Sequence, residues 1–437
     1  MDASQAVFNN SLGQASTYPI LAASFRSLSL FLLAFTYVPN DPSVNAHTNH
    51  SSPNHFCHIS LVHQTNTTLG PHQYIALNAR RDRAYTTTWG WPPVLSAWDI
   101  ARELQLEHWR VGHINDVPIT ATSSYITLAQ GSGDEPYTYA YSMGGPTGEV
   151  HAIDSVTGGF KQKLQEVLFV GSEELEAADK TRKALREGSH AIEFLTSSIP
   201  RLAFVPVLGT DEQPGTIEVY EHDPATGLLT HRYSAPPPRV GHGHDAEGRS
   251  SQANDGPRHV KVHPSGKTLY CVTEHSNRID IYTIDATSKV PLTYLASHSL
   301  MPLRPQESHY RGSTLQFAPS TPRHPAPRAV IATTRGGSLE TMGWVGIHRL
   351  DDAGVFQGEP RYHELPSSGG KSLALAAMSK PGDEDKTWVL LSDDAEDAGG
   401  VSVLEWDHET DALEELATWR GEAGVDMQGS SFSVWLD

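Results

Sequence analysis

A short strand that runs straight into aspartate and a turn recurs along this chain, and no other feature constrains the fold as tightly. Copies stand at Val94 to Asp99 (VLSAWD), Glu149 to Asp154 (EVHAID, then SVTGG) and Ile217 to Asp223 (IEVYEHD, then PATGLL). They return at Ile279 to Asp285, Val345 to Asp351 (VGIHRLD, then DAG) and Val401 to Asp407 (VSVLEWD, then HETDAL). With Leu30 to Thr36 as a degenerate first copy there are about seven, spaced by roughly 55 to 70 residues. Each period also holds two earlier β-like runs, such as Tyr74 to Asn78 with Arg83 to Thr88, or Leu315 to Ala318 with Ala329 to Thr333.

Asn254 to Asp285 shows the unit most clearly. Arg258 to Val262 stops at the turn His263-Pro264-Ser265-Gly266-Lys267, Leu269 to Thr273 stops at the polar break Glu274-His275-Ser276-Asn277, and Arg278 to Ile284 follows. Short strands separated by turn chemistry form an antiparallel meander. Several such strands per repeat predict an all-β, seven-bladed β-propeller with four-stranded antiparallel blades. Ser430 to Leu436 (SSFSVWL) has no partner in its own repeat. Pairing it with the first blade closes the ring between N- and C-terminal strands and removes the exposed edges. One propeller over residues 17–437 follows, with a disordered N-terminus at 1–16.

Two segments break the pattern. Ser172 to Glu187 (SEELEAADKTRKALRE) crowds acids at its start and bases at its end, as a helix dipole favours, and reads as a helical insertion. Residues 240–256, rich in Gly, His, Asp and Ser, read as a mobile loop. Ser27 to Val38 (SLSLFLLAFTYV) is the most apolar run, but it is too short to span a bilayer and too late for a signal peptide. It reads as a buried strand.

Composition excludes some partners. Lys and Arg total 32 against 51 Asp and Glu, a formal charge of −19. Nucleic acid and anionic membranes both need a basic face, so neither is expected. A small anionic substrate would need a local cationic pocket. Two cysteines, Cys57 and Cys271, form no disulfide framework and suit a reducing, cytoplasmic setting. The run Gly241-His242-Gly243-His244-Asp245 lacks a second ligand cluster at metal spacing, and Asp393-Asp394 with Glu396-Asp397 lacks EF-hand spacing. No metal is expected, and the oligomeric state, homo-oligomer or not, is open.

The stretch PRHVKVHPSGKTLYCVTEHSNRIDIY resembles the blade motif of lactonase-type seven-bladed propellers, which include 6-phosphogluconolactonase-like proteins. With AYTTTWGWPPVLSAWDI, PYTYAYSMGG, GSHAIEF, YRGSTLQF, AVIATTRG and FSVWLD, the chain resembles the fungal carboxy-cis,cis-muconate cyclases. That resemblance implies a cofactor-independent cycloisomerase of aromatic catabolism, in the protocatechuate branch of the β-ketoadipate route. Its site would comprise His190 (SHAIEF), Arg258 (GPRHV), Glu274 (VTEHSNR) and Arg335 (ATTRGG).

Strand order supports the grouping independently. His190 and Arg258 stand at starts of first strands, Glu274 and Arg335 at ends of second strands, and these positions share one edge of a hairpin. First strands line a propeller channel, so all four are expected at one mouth, from three successive blades. Trp89, Asp393, Ser313 and Lys371 occupy equivalent rim positions, with Arg311 adjacent. Of these, Arg311, Lys371 and Trp89 are expected to help bind substrate. Two guanidinium groups suit a polycarboxylate. His190, with an ordinary pKa near neutrality, is the expected proton donor; Glu274 would serve only with a raised pKa and otherwise orients His190 or an arginine. A lactone hydrolase and a non-catalytic binding propeller are the alternatives.

Overall fold

The structure, a computed structural model, describes residues 15–39, 55–67, 69–129, 138–210, 213–238, 243–244, 250–251, 255–302, 309–338, 340–396, 398–422, 424–425 and 427–437. Seven four-stranded antiparallel sheets form the blades of a propeller. Blade two runs outward from His72–Leu77 through Arg83–Thr88 and Val94–Ala101 to Arg110–Pro118. Blade five runs from Pro257–Val262 through Thr268–Thr273 and Arg278–Ile284 to Leu292–Ser299. In blade one the inner strand is Phe432–Trp435, which pairs with Ser16–Ala23 in the register Ala23 to Phe432 and Ile20 to Trp435. The ring therefore closes as expected. Ser29–Pro39, the apolar run, is the next strand out and is largely buried.

The recurring aspartate has a structural cause. Asp154 Oδ1 accepts from the backbone N–H groups of Val156 at 3.0 Å and Thr157 at 2.8 Å, at the turn after the third strand. Asp223 accepts from Ala225, Asp285 from Thr287, Asp351 from Ala353, and Asp407 from Glu409 and Thr410. These side chains mimic a backbone turn and satisfy donors that the strand end leaves free. Gly158 and Gly227 then take φ near 75°, which a side chain would resist. Blade two differs: Asp99 instead meets Arg83 at 2.5 Å.

Packing explains why the second strands are largely buried. Each sheet lies between two others, so successive residues alternate between two cores and not between core and solvent. Cys271 packs with Phe204 and Leu202 of blade four, while its neighbour Tyr270 packs with Leu315 and Val330 of blade six. Ile20 faces Trp388 of blade seven, and Leu21 faces Ile75 and Trp98 of blade two.

The helical expectation for Ser172 to Glu187 is corrected. Residues 172–177 form turns, and only Arg182–Arg186 is helical, as a single 3-10 segment with Leu185 as its buried residue. One buried side chain per segment cannot anchor an amphipathic helix, however well its charges suit the dipole. Most of 240–256, the expected mobile loop, lies outside the described residues, apart from the pairing of Gly243–His244 with Ser250–Ser251 and the buried Asp255 and Gly256. Residues 1–14 also lie outside them, and Ser16 opens a strand.

Ring closure has a measurable signature. Trp435 is buried among Phe35 and Trp388, with ring centroids 6.1 and 6.3 Å away. Trp435→Ala is expected to cost about 3–5 kcal/mol, read as a lower denaturant midpoint. An unchanged midpoint would show that the closing strand contributes little.

Candidate active site

Four of the expected residues meet at one end of the central channel. Arg258 lies in the inner strand of blade five, and Glu274 directly follows that blade's second strand. Arg335 is near the end of Ala329–Gly336, the second strand of blade six. Arg258 Nε donates to Glu274 Oε2 at 2.9 Å, and Arg335 donates from Nη2 to Glu274 Oε1 at 2.9 Å. One carboxylate thus bridges two guanidinium groups from neighbouring blades. Arg258 Nη1 also donates to the Ser313 carbonyl, and Arg335 Nη1 to the Lys371 carbonyl. His190 sits just before the short inner strand Glu193–Leu195 of blade four, its Nδ1 enclosed and without a hydrogen-bond partner. Its ring centroid is 5.4 Å from that of His259.

A β-bulge builds this arrangement. Pro257 pairs with Thr273 and His259 with Val272, so Arg258 is the extra residue in the inner strand. In a regular strand Arg258 and His259 would point to opposite faces. The bulge re-aims one of them, and both reach the mouth. His259 contacts Thr314 of blade six through Nδ1 at 2.9 Å and lies 3.4 Å from Arg258 Nη1 through Nε2. Arginine can only donate, so Nε2 accepts and Nδ1–H donates to Thr314. The inner strands of blades two and six carry bulges at the same end, between His72 and Ile75 and between Gly312 and Leu315.

The electrostatics follow from burial and charge. Burial alone would raise the Glu274 pKa, but Arg335 and then Arg258 outweigh it and hold the carboxyl at about 2. Burial, then Arg335, lowers Arg258 to about 10, where it remains a cation. Burial and the Arg258 charge push His190 well below its ordinary 6.5, and His259 likewise. The expectation of an imidazole poised near neutrality is therefore corrected: in the unliganded mouth His190 is a neutral base. Glu274 is ionised and orients the arginines.

The remaining rim residues divide. Trp89 directly follows the second strand of blade two, and its ring packs on Phe25 with centroids 4.7 Å apart. Lys371 lies beside Arg335 through its carbonyl and holds its Nζ 5.7 Å from the Phe25 ring. Arg311 is exposed and is the cross-strand neighbour of Arg335, so it leaves the same face of blade six. Ser313 and Asp393 are buried in structural hydrogen bonds, Ser313 to Leu373 N and Asp393 to Ala395 N. The rim also holds Phe25, Arg26 and Arg182, which sequence reasoning did not single out. Phe25 and Arg26 do follow the second strand of blade one, just beyond the position that Trp89 and Glu274 hold in their blades. Arg182 belongs to the segment expected to be helical.

Below the mouth the channel is filled. Tyr74 stacks on Phe432 with centroids 3.9 Å apart and lies 4.3 Å from Tyr125, and Lys261 pairs with Glu193 at 2.9 Å. These side chains form a floor. A cleft of about 920 Å³ lies elsewhere, between blades three and four, lined by Phe169, Ala184 and Tyr220 among others. Its polar groups, such as Glu218 with His231 and Ser234, bond one another. Among the described residues one group has metal-like composition, His324, Asp385 and His408, at the opposite end of the strands. Arg323 and Arg328 bond its carboxylate and one imidazole, as in an ion-pair network.

With this geometry the likeness to known proteins can be placed. The family described as lactonase, 7-bladed beta-propeller, matches residues 174–321. The chain is a seven-bladed β-propeller, and over that stretch it is similar to this family. It is 23% identical over 394 residues to muconate cycloisomerase 1 of Cutaneotrichosporon cutaneum, covering 89% of this chain and 90% of that protein. It is 29% identical over 185 residues to carboxy-cis,cis-muconate cyclase of Neurospora crassa, covering 42% of this chain and 47% of that one. Among solved structures, the periplasmic gluconolactonase of Pseudomonas aeruginosa superposes with a TM-score of 0.64 at 15% identity, covering 97% and 99% of the two chains. A protein from Lactobacillus plantarum gives 0.61 at 15% identity, covering 97% and 100%. At such identity these structures show the fold alone. No helix among the described residues is long and apolar enough to cross a membrane, and Cys57 and Cys271 form no disulfide.

The Glu274 clamp can be tested by pH. Its folded pKa is depressed from an ordinary 4.5 to about 2, so its stabilisation is complete above 4.5 and lost as pH falls toward 2. Glu274→Gln is expected to lower stability by about 3 kcal/mol at neutral pH. Denaturant unfolding from pH 7 to 2 should show the gap to wild type closing only below about 4.5. A gap that persists at pH 2 would mean that the loss is not electrostatic.

Proposed function

We propose that this mouth performs lactone chemistry, closing 3-carboxy-cis,cis-muconate or a related small polycarboxylate to its lactone without a cofactor. The observation that carries the reading is one buried carboxylate, Glu274, holding Arg258 and Arg335 at 2.9 Å each beside a neutral His190. Guanidinium groups fixed in this way present their remaining donors to planar carboxylates with little loss of freedom on binding. The similarity to the two fungal muconate-acting proteins adds to it.

In the reaction, a carboxylate oxygen of the substrate forms a bond to an alkene carbon conjugated to another carboxylate. The π electrons move onto the adjacent carbon and that carboxylate, giving an enolate-like charge. Arg258 or Arg335 stabilises it, as fixed donors do for developing oxyanions. A proton then adds to carbon. The net change is one C–O bond formed, one C=C bond consumed and one proton taken up.

His190 supplies that proton after acquiring it with the substrate. A polycarboxylate brings negative charge into a low-dielectric mouth and draws the imidazole pKa back upward. Binding of a carboxylate ligand should therefore take up a proton, measurable by calorimetry in buffers of different ionisation enthalpy. Purified protein mixed with 3-carboxy-cis,cis-muconate, with no metal added, should lose the conjugated-diene absorbance. His190→Ala should slow this by about 10²–10⁴-fold. Full turnover by His190→Ala removes its role, and no diene loss by wild type removes the reaction.

A second reading, lactone hydrolysis, is favoured by the same neutral His190 with its unpartnered Nδ1, a base able to take a proton from water. Turnover of a sugar lactone in place of the muconate would select it.

A further inference from the structure

The rim beside Arg335 carries a second cationic patch that the four-residue cluster does not use. Phe25 and Trp89 pack with their rings tilted by 59° and centroids 4.7 Å apart, and form an aromatic wall. The Arg182 guanidinium carbon lies 5.9 Å from the Trp89 ring centroid, and Lys371 Nζ lies 5.7 Å from that of Phe25. Four separate parts of the chain meet here: the loops of blades one, two and seven, and the segment before blade four. Arg182 is held by its surroundings: Thr122 N donates to Lys180 O at 2.9 Å, Lys183 N to Thr181 Oγ1 at 3.3 Å, and Ala184 packs over Gly145.

The charges at this wall are unusual for a chain of net charge −19. Among the described residues, neither Arg182 nor Lys371 has a carboxylate within 4.0 Å. Asp394 has its Oδ1 bonded to the backbone N–H groups of Lys371 and Ser372 at 2.7 Å each, with Arg26 3.9 Å from Oδ2. It fixes the Lys371 loop and leaves the ammonium group unpaired. Trp89 Nε1 is enclosed and has no acceptor. Two cations without partners, beside an indole donor without an acceptor, call for an anion. The flat rings call for a planar, conjugated one.

We propose that Arg182 and Lys371, across the Phe25–Trp89 wall, form a second carboxylate subsite that selects tricarboxylates over dicarboxylates. It rests on the cycloisomerase reading for its placement: Arg258 and Arg335 take the carboxylates at the reacting atoms, and this patch takes the one remote from them. The Lys371 carbonyl already bonds Arg335, so the two subsites share one rim. The segment 178–187 then serves specificity by carrying Arg182 to the mouth.

The test is a selectivity ratio. Calorimetric titration of the full chain with propane-1,2,3-tricarboxylate and with glutarate should show the tricarboxylate binding at least 10-fold tighter. Arg182→Ala/Lys371→Met should cut that ratio by about 10-fold or more, with the tricarboxylate carrying most of the loss. With muconates as substrates the same variant should raise KM for the 3-carboxy compound more than for the plain dicarboxylate, with kcat less affected. An unchanged ratio in the variant, or no preference in wild type, overturns the subsite. Failure of wild type to turn over either muconate sinks the reaction, while the calorimetric ratio still decides the subsite. An unchanged unfolding midpoint in the variant shows that the fold is not the cause.

Discussion

Seven sheets that each bury both faces can exist only as a closed ring, and that closure is the constraint on which everything else here depends. A single blade would expose two apolar faces and two strand edges. Apolar clusters of the interior join neighbouring blades, as with Trp388 and Phe35, or Phe204 and Cys271. Stability is therefore shared around the circle. The four residues Phe432–Trp435, from the far end of the chain, complete blade one and bring its first and last blades into contact. The channel mouth exists because the ring is shut.

Closure also sets the electrostatics of the mouth. Inner strands and the ends of second strands converge there, so side chains far apart in sequence become neighbours in a poorly hydrated space. Arg258 and Arg335 would repel each other at that range without Glu274 between them. Breaking a buried ion pair leaves an uncompensated charge, which is costly even where the intact pair adds little. The clamp is thus better understood as a positioning device than as a source of stability. Its net positive charge also explains why His190 and His259, beside it, are neutral, and why an incoming polyanion would reverse that.

Much of this was legible in the sequence because the signals are local. The repeated aspartate caps a turn through its own following N–H groups, so it appears at a fixed place in every copy that uses it. Strand lengths, turn residues and the orphan segment Ser430 to Leu436 follow the same short-range logic. Grouping His190, Arg258, Glu274 and Arg335 was possible because strand starts and ends alternate strictly between the two rims of a meander. The segment 172–187 misled for a related reason: its charge pattern suits a helix, but helix formation also needs an apolar face, and Leu185 alone supplies it.

The sequence by itself determined the blade count, the direction of each strand and the common rim of His190, Arg258, Glu274 and Arg335, since those depend on period, turns and connectivity. Only the tertiary structure decided what the rim does chemically. The bulge at Arg258 turns two adjacent side chains to one mouth against the alternation that a strand otherwise imposes. The neutral state of His190 and the ionised state of Glu274 come from burial and from charges on other blades. The pairing of Arg182 and Lys371 with Phe25 and Trp89 joins four segments that share no local pattern. Proximity across a closed ring has no counterpart in sequence separation, and it is proximity that sets a side chain's charge and reach.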